Sequence, residues 1–292
     1  MFEPSEYATR AALLRGIARL IYGSAAQREA IKIADVHEAF PEAKADAVDS
    51  ALKKMDALEL ILIELEGPMI RGLGYGKACF ERDCIPETVF GVDYIAKKYR
   101  NAIVHIIVGE PNGEESGGTG YFWADFPNHL ITAAHVLDGR TVKRIEDSSG
   151  NVLELTRGPI RVGPGDLDLA TLECDMPSGT EPIRVEWNPD SAAPGAGLIV
   201  FGYPRIAFHL PSLYQSRAEL HSIARRYPSS RESLIISSTT HPGCSGGPVM
   251  DLRGFAIGVI EQENVLEQRA GTSAYFSATP AHYLRELVPQ PQ

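Results

Sequence analysis

Long apolar runs are missing from this chain: no stretch of about 18 uninterrupted apolar residues occurs, so no membrane-spanning helix is expected. The opening segment Met1 to Leu20 puts Glu3 and Glu6 ahead of its apolar positions and interrupts these with Arg10, Arg15 and Arg19. It therefore lacks the basic-then-apolar plan of a secretory signal, and the expected compartment is the cytosol, with no membrane partner. Cysteine is scarce. Four thiols, Cys79, Cys84, Cys174 and Cys244, in 292 residues make no disulfide framework, and Cys79 with Cys84 falls two ligands short of a structural zinc site. Reduced thiols and neither a metal nor another cofactor are expected. An excess of positive charge is absent as well: 28 Lys and Arg face 38 Asp and Glu, a net of −10 that repels phosphate backbones. No nucleic acid is expected as a partner.

What is present is enough chain for two domains. Between Glu6 and Ile21, Leu13, Leu14, Ile17, Leu20 and Ile21 fall at helical spacing, and Gly23 closes the run. A β-branched piece, Ile31 to Ile33, precedes Asp35 to Phe40 and a turn at Pro41. A further helix is expected from Lys44 to Leu58, with Ala47, Val48, Ala51, Leu52 and Met55 on one face. Leu58 to Glu64 and Met69 to Arg71 then flank Gly67-Pro68 as a β-hairpin. This order resembles a winged helix-turn-helix, so residues 1–88 are expected to form a small, mainly α, winged-helix-like domain. DNA readout needs backbone contacts, yet residues 1–88 hold 11 Lys and Arg against 15 Asp and Glu. In the would-be recognition helix Lys44, Lys53 and Lys54 cancel Asp46, Asp49 and Asp56, leaving no counterion-release term. An adaptor or sensing module that meets a regulatory protein partner fits better.

Residues 89–101 are expected as a linker helix, part of a helical run from 86 to 101. From Ala102 the period changes to short β-rich runs: Ala102–Val108, Leu130–Thr132, Leu198–Phe201, Leu234–Ser237 and Phe255–Ile260, separated by Gly, Pro, Asn and Asp. Many short strands without interleaved helices argue for an all-β barrel or sandwich over 102–292, closed by one helix from Pro280 to Leu287.

Three places there can carry chemistry. In His241-Pro-Gly-Cys-Ser-Gly-Gly-Pro-Val249 a Ser between glycines can sit on a turn whose N–H groups point the same way, supplying a nucleophile and oxyanion donors together. Gly243, Gly246 and Gly247 tolerate the backbone such a turn needs. In Leu130-Ile-Thr-Ala-Ala-His-Val136 a single His135 follows a strand. In Gly165-Asp-Leu-Asp-Leu-Ala-Thr-Leu172, Asp168 alternates with apolar neighbours and needs a partner, for which an imidazole N–H serves. Asp166, two residues earlier, is the alternative.

Thr132-Ala-Ala-His135, Asp168-Leu-Ala170 and Gly243-Cys-Ser-Gly-Gly-Pro248, in that order, resemble the trypsin-like serine peptidases of the chymotrypsin fold. Gly118–Phe122, Val200–Pro204, Ala256–Val259 and Ala274–Pro280 look most like the bacterial, disulfide-free branch of that family. The resemblance covers about residues 102–287 and implies a two-barrel serine endopeptidase. In it Ser245 attacks the scissile carbonyl, His135 shuttles the proton, Asp168 fixes the His tautomer, and the Gly243 and Ser245 amides hold the oxyanion. Val136 and Cys244 stand where secreted members carry a cysteine and an aspartate, so activation through that aspartate is excluded. Cys244 as the nucleophile is disfavoured by the motif frame. By register the specificity pocket has Thr239 and Thr240 at its base and Glu261, Gln262 and Glu263 along one wall. That wall favours a cationic P1 side chain if a carboxylate points inward; alternatively Glu261 and Glu263 are solvated strand-end charges. The expected activity is cleavage of a protein or peptide substrate, regulated by the N-terminal domain. The competing expectation is a winged-helix regulator or scaffold whose protease-like domain binds peptides without cutting.

Overall fold

In α1 (Pro4–Tyr22), Ala11, Leu14, Ile17, Ala18 and Ile21 recur every three or four residues and are all buried, so one face of the helix is core. The computed structural model describes residues 4–23, 30–64, 67–155, 158–238, 241–261 and 276–287. Contacts divide the chain into two units, Met1–Ile95 and Ala96–Gln292, considered separately below. That division lies between the boundaries drawn from sequence at residues 88 and 101.

In the first unit α1 is followed by β1 (Ile31–Lys32), α2 (Ile33–Ala39), α3 (Ala45–Ala57), β2 (Ile61–Glu64) and β3 (Met69–Gly72). Val48, Ala51, Leu52 and Met55 form the buried stripe of α3. β2 and β3 pair as the expected hairpin, with Ile63 opposite Ile70, and β1 adds to its far edge in the order β1-β3-β2. Then comes a helix not anticipated from sequence, α4 (Gly74–Glu81). The single helix expected over 86–101 is instead α5 (Ile85–Phe90), α6 (Val92–Tyr99) and a 3-10 turn at Arg100–Ala102. The break falls at Gly91, whose φ of 67° and ψ of −148° leave helical space altogether.

The second unit is built from two β systems, antiparallel except where the short Arg184–Val185 strand joins Phe255–Ala256 in parallel. One contains β4 (Ile103–Gly109), β5 (Glu115–Trp123), β6 (Phe126–Thr132), β7 (Thr141–Glu146), β8 (Val152–Leu153), β9 (Arg161–Val162) and β10 (Ala170–Glu173), in the order β8-β7-β4-β5-β6-β10-β9. A bridge between Leu155 and Cys174 brings the chain after β8 onto the chain after β10, which curls this sheet into a barrel. The other contains β11 (Arg184–Val185), β12 (Gly197–Gly202), β13 (Tyr214–Arg225), β14 (Glu232–Ile236), β15 (Pro248–Asp251), β16 (Phe255–Ile260) and β17 (Phe276–Pro280). It runs β11-β16-β15-β12-β13-β14-β17 and closes through β16 and β17. Leu198, Val200, Leu220, Leu234, Ile236, Val249, Ile257 and Ile260 fill its core. The closing helix is a 3-10 segment, Ala281–Glu286. An all-β two-barrel protease-type domain preceded by a helical region is therefore the architecture.

Two joints of this fold position chemistry. β6 and β10 pair with Thr132 opposite Ala170, so the residues just after one and just before the other emerge at the same end of the pair. The chain entering β15 makes a tight glycine-containing turn that packs on the middle of β5 and the end of β12.

Candidate active site

His135 lies in a one-turn helix, α7 (Ala134–Leu137), immediately after β6, and Asp168 lies two residues before β10. The Thr132–Ala170 register brings them together. Asp168 accepts two hydrogen bonds from that one residue, at 2.8 Å from His135 Nδ1 and at 2.9 Å from the His135 backbone N–H. The second bond fixes the α7 backbone and the first the ring, leaving Nε2 directed away from the carboxylate. Burial pushes the Asp168 carboxyl up, but the hydrogen bonds and charge of His135, with the Arg226 guanidinium nearby, outweigh it and hold the group below its ordinary range. Asp168 therefore stays ionised throughout the neutral range. Asp166 is placed differently: half-exposed, it pairs with Arg231 at 3.2 Å, and its carboxyl is also held low by a bond from Ser229.

The turn from His241 to Gly247 is fixed by its carbonyls. Pro242 O accepts from Arg205 N–H at 2.7 Å, Gly243 O from Thr119 Oγ1 at 2.7 Å, and Cys244 O from Gly247 N–H at 3.0 Å. In a trans peptide the N–H points opposite to the carbonyl. Anchoring Pro242 O and Cys244 O on the protein side thus turns the Gly243 and Ser245 N–H groups the other way, and neither has a backbone acceptor among the described residues. Gly243 and Gly246 need to be glycine twice over, because φ is 100° and 86°, and because a Cβ would meet Tyr203 O at 2.3 Å and Thr119 O at 2.1 Å. Gly247 is constrained by space alone: its Cβ would lie 2.0 Å from Phe201 O.

Ser245 is half-buried on this turn. Among the described residues its hydroxyl makes no hydrogen bond, to His135 or to any other group. Cys244 is 1% exposed and packs into the second barrel's core, where burial pushes its thiol up, with a smaller lowering from a backbone hydrogen bond at His241. A neutral, enclosed thiol is a poor nucleophile. No disulfide joins the four cysteines. Among the described residues no group of three or more His, Cys, Asp or Glu could hold a metal ion, and no helix is long and apolar enough to cross a membrane.

Of the residues expected at the specificity pocket, Thr239, Thr240, Gln262 and Glu263 lie outside the described residues. Glu261 is described, and it is neither a solvated strand-end charge nor an open acidic wall. At 4% exposure its carboxylate pairs with Arg226 and accepts from the hydroxyls of Ser233, Ser277 and Thr279. Its negative charge is already matched.

The pattern of the trypsin-like peptidase domain matches residues 118–259, which span β5 to β16 and include His135, Asp168 and Ser245. Residues 118–259 belong to the trypsin-like peptidase family. The peptidase domain has the fold of the M. tuberculosis Rv3671c protease in its active form, with a TM-score of 0.52 at 20% identity over 66% of this chain and 82% of that one. The uncharacterized protein y4bJ of Sinorhizobium fredii is 31% identical over 152 residues, 52% of this chain. The match spans only 22% of that relative's length. The second unit thus carries a trypsin-like peptidase domain.

Of the two aspartates, Asp168 alone grips the imidazole. Asp168→Asn is expected to lower turnover of a cleavable peptide by about 10⁴-fold through the wrong His tautomer, and Asp166→Asn by less than about 10-fold, because its partner Arg231 bonds Glu286 as well. Steady-state kinetics of the two variants check this, and the reverse ranking would transfer the role to Asp166.

Proposed function

We propose that this protein is an intracellular serine endopeptidase that cuts peptide bonds through His135, Asp168 and Ser245 and is regulated by its N-terminal unit. The observation that carries the reading is the double grip of Asp168 on His135, an arrangement useful for orienting a general base and costly to bury otherwise. In the proposed cycle Ser245 Oγ attacks the scissile carbonyl carbon while His135 Nε2 takes the hydroxyl proton. The carbonyl oxygen becomes an oxyanion held by the Gly243 and Ser245 N–H groups. His135 passes the proton to the leaving amine, an acyl-enzyme forms on Ser245, and water attacks it with His135 again acting as base. The ionised Asp168 stabilises the imidazolium in both halves.

For the first unit, the order α1-β1-α2-α3-β2-β3 and the sheet order β1-β3-β2 support a winged-helix-like module. Its charge balance favours a protein partner over DNA. We read it as the regulatory module, because position 244 offers no carboxylate to a freed amine and control through cleavage at the start of the barrel is therefore closed.

Ser245→Ala and His135→Ala are each expected to remove about 10⁴- to 10⁶-fold of turnover, with the double variant no worse than either single one, since the groups work as a unit. Near-wild-type turnover by Ser245→Ala would end the peptidase reading. For regulation, residues 89–292 are expected to cleave short peptides at a rate different from the full chain, both confirmed intact by mass spectrometry. Equal rates with and without cell extract would remove the regulatory role.

A further inference from the structure

The residue that joins the two halves of the site is Thr119, on β5, wholly buried and flanked by Gly118 and Gly120. All of its polar groups are engaged. Its N–H donates to Ser245 O at 2.8 Å and its carbonyl accepts from Thr132 Oγ1 at 2.7 Å. Its hydroxyl accepts from Tyr203 N–H at 2.9 Å and donates to Gly243 O at 2.7 Å. With one proton and one acceptor role each used once, the hydroxyl's direction is fixed.

We infer that Thr119 is a positioning residue for the oxyanion-binding turn, resting on the peptidase reading above. Three peptide planes make up that turn, 242–243, 243–244 and 244–245. The outer two are pinned by backbone donors, Arg205 N–H and Gly247 N–H, which no substitution removes without remodelling the chain. The middle plane is pinned on its carbonyl side by the Thr119 hydroxyl and on its N–H side by the bond from Cys244 to His241 O. Rotation of the middle plane swings both neighbours, so this one side chain governs whether the Gly243 and Ser245 N–H groups converge on a single point. The same hydroxyl reaches Tyr203, the residue after β12, and the Thr119 carbonyl reaches Thr132, three residues ahead of His135. Thr119 therefore sets the nucleophile turn and the base arm in one register. The clamp is made wholly of uncharged groups, so it holds the turn without any ion pair, in keeping with a buried thiol at position 244.

The test compares Thr119→Val, which keeps the shape and loses the hydroxyl, with Thr119→Ser, which keeps the hydroxyl, in the full chain. Removing one oxyanion donor outright costs about 10²- to 10³-fold in kcat. Loosening the turn that presents two of them is expected to cost Thr119→Val about 10- to 100-fold in kcat, with KM within about threefold. Affinity for a peptide boronic acid, whose adduct is tetrahedral, should fall by the same factor as kcat, while affinity for a product peptide stays put. Thr119→Ser should recover most of the loss. Thr119→Val with kcat within about threefold of wild type, a loss confined to KM, or Thr119→Ser as impaired as Thr119→Val would each overturn the inference. Should the wild-type chain neither cut nor react with a fluorophosphonate, the peptidase reading fails, and the crystal structure of Thr119→Val decides the inference by itself. A rotated 243–244 peptide upholds the clamp; an unmoved Gly243 carbonyl overturns it.

Discussion

Asp168 holds an ionised carboxylate with only 19% of its side chain exposed, and a single residue, His135, supplies both of the hydrogen bonds that make this tolerable. An unpartnered carboxylate there would lose its hydration with nothing in return. Two bonds to one residue do more than satisfy it, because they fix a backbone position and a ring orientation at once. The requirement reaches back into the sheet. Only the pairing of β6 with β10 that sets Thr132 opposite Ala170 delivers both residues to one end, and a slip by one would turn Asp168 to the other face. The barrel register and the site geometry are thus one constraint.

The second half of the site obeys a different logic, in which backbone amides rather than side chains have to be aimed. Three carbonyls are tied to Arg205, Thr119 and Gly247, so the N–H groups of Gly243 and Ser245 face outward without spending their own hydrogen bonds. Backbone donors that fold within a protein are seldom left unpaired, so two unpaired N–H groups beside a serine fit the oxyanion site proposed above. Around this turn the fold allows no side chain: at Gly243, Gly246 and Gly247 a Cβ would run into a backbone oxygen. The cavity beside it, about 290 Å³, is bounded by Tyr203, Arg205, Pro242 and Gly243.

Much of this was readable before any coordinates. The β-branched runs at Ile103–Gly109, Gly197–Gly202 and Phe255–Ile260 are strands, and the amphipathic stripes of α1 and α3 are helices, because burial on one or both faces is written directly into apolar spacing. What escaped were elements whose packing depends on absent side chains. β5 was not among the expected strands, because Glu-Ser-Gly-Gly-Thr-Gly carries little apolar signal, yet Gly117, Gly118 and Gly120 sit where a Cβ would strike His105, Val136 and Ile106. α4 opens with Gly-Tyr-Gly and shows no helical signal, since Gly76 is needed for close approach to Leu60 O and the Tyr22 hydroxyl. At the site, His135, Asp168 and Ser245 were visible as motifs, but which aspartate, Asp168 or Asp166, meets His135 needed register. Glu261 could not be assigned from sequence, because its partners come from three other stretches of chain: Arg226 just after β13, Ser233 on β14, and Ser277 with Thr279 on β17. Thr119 was hidden by its glycine neighbours, Gly118 and Gly120.

The central claim, that Ser245 is an activated nucleophile facing a formed oxyanion site, is tested most directly by reaction with a fluorophosphonate probe. The intact chain is incubated with the probe, digested, and the modified peptide sequenced by mass spectrometry. This account predicts stoichiometric modification on Ser245, lost in His135→Ala. A folded chain that takes up no label, or one labelled at Cys244 or at another residue, would contradict it.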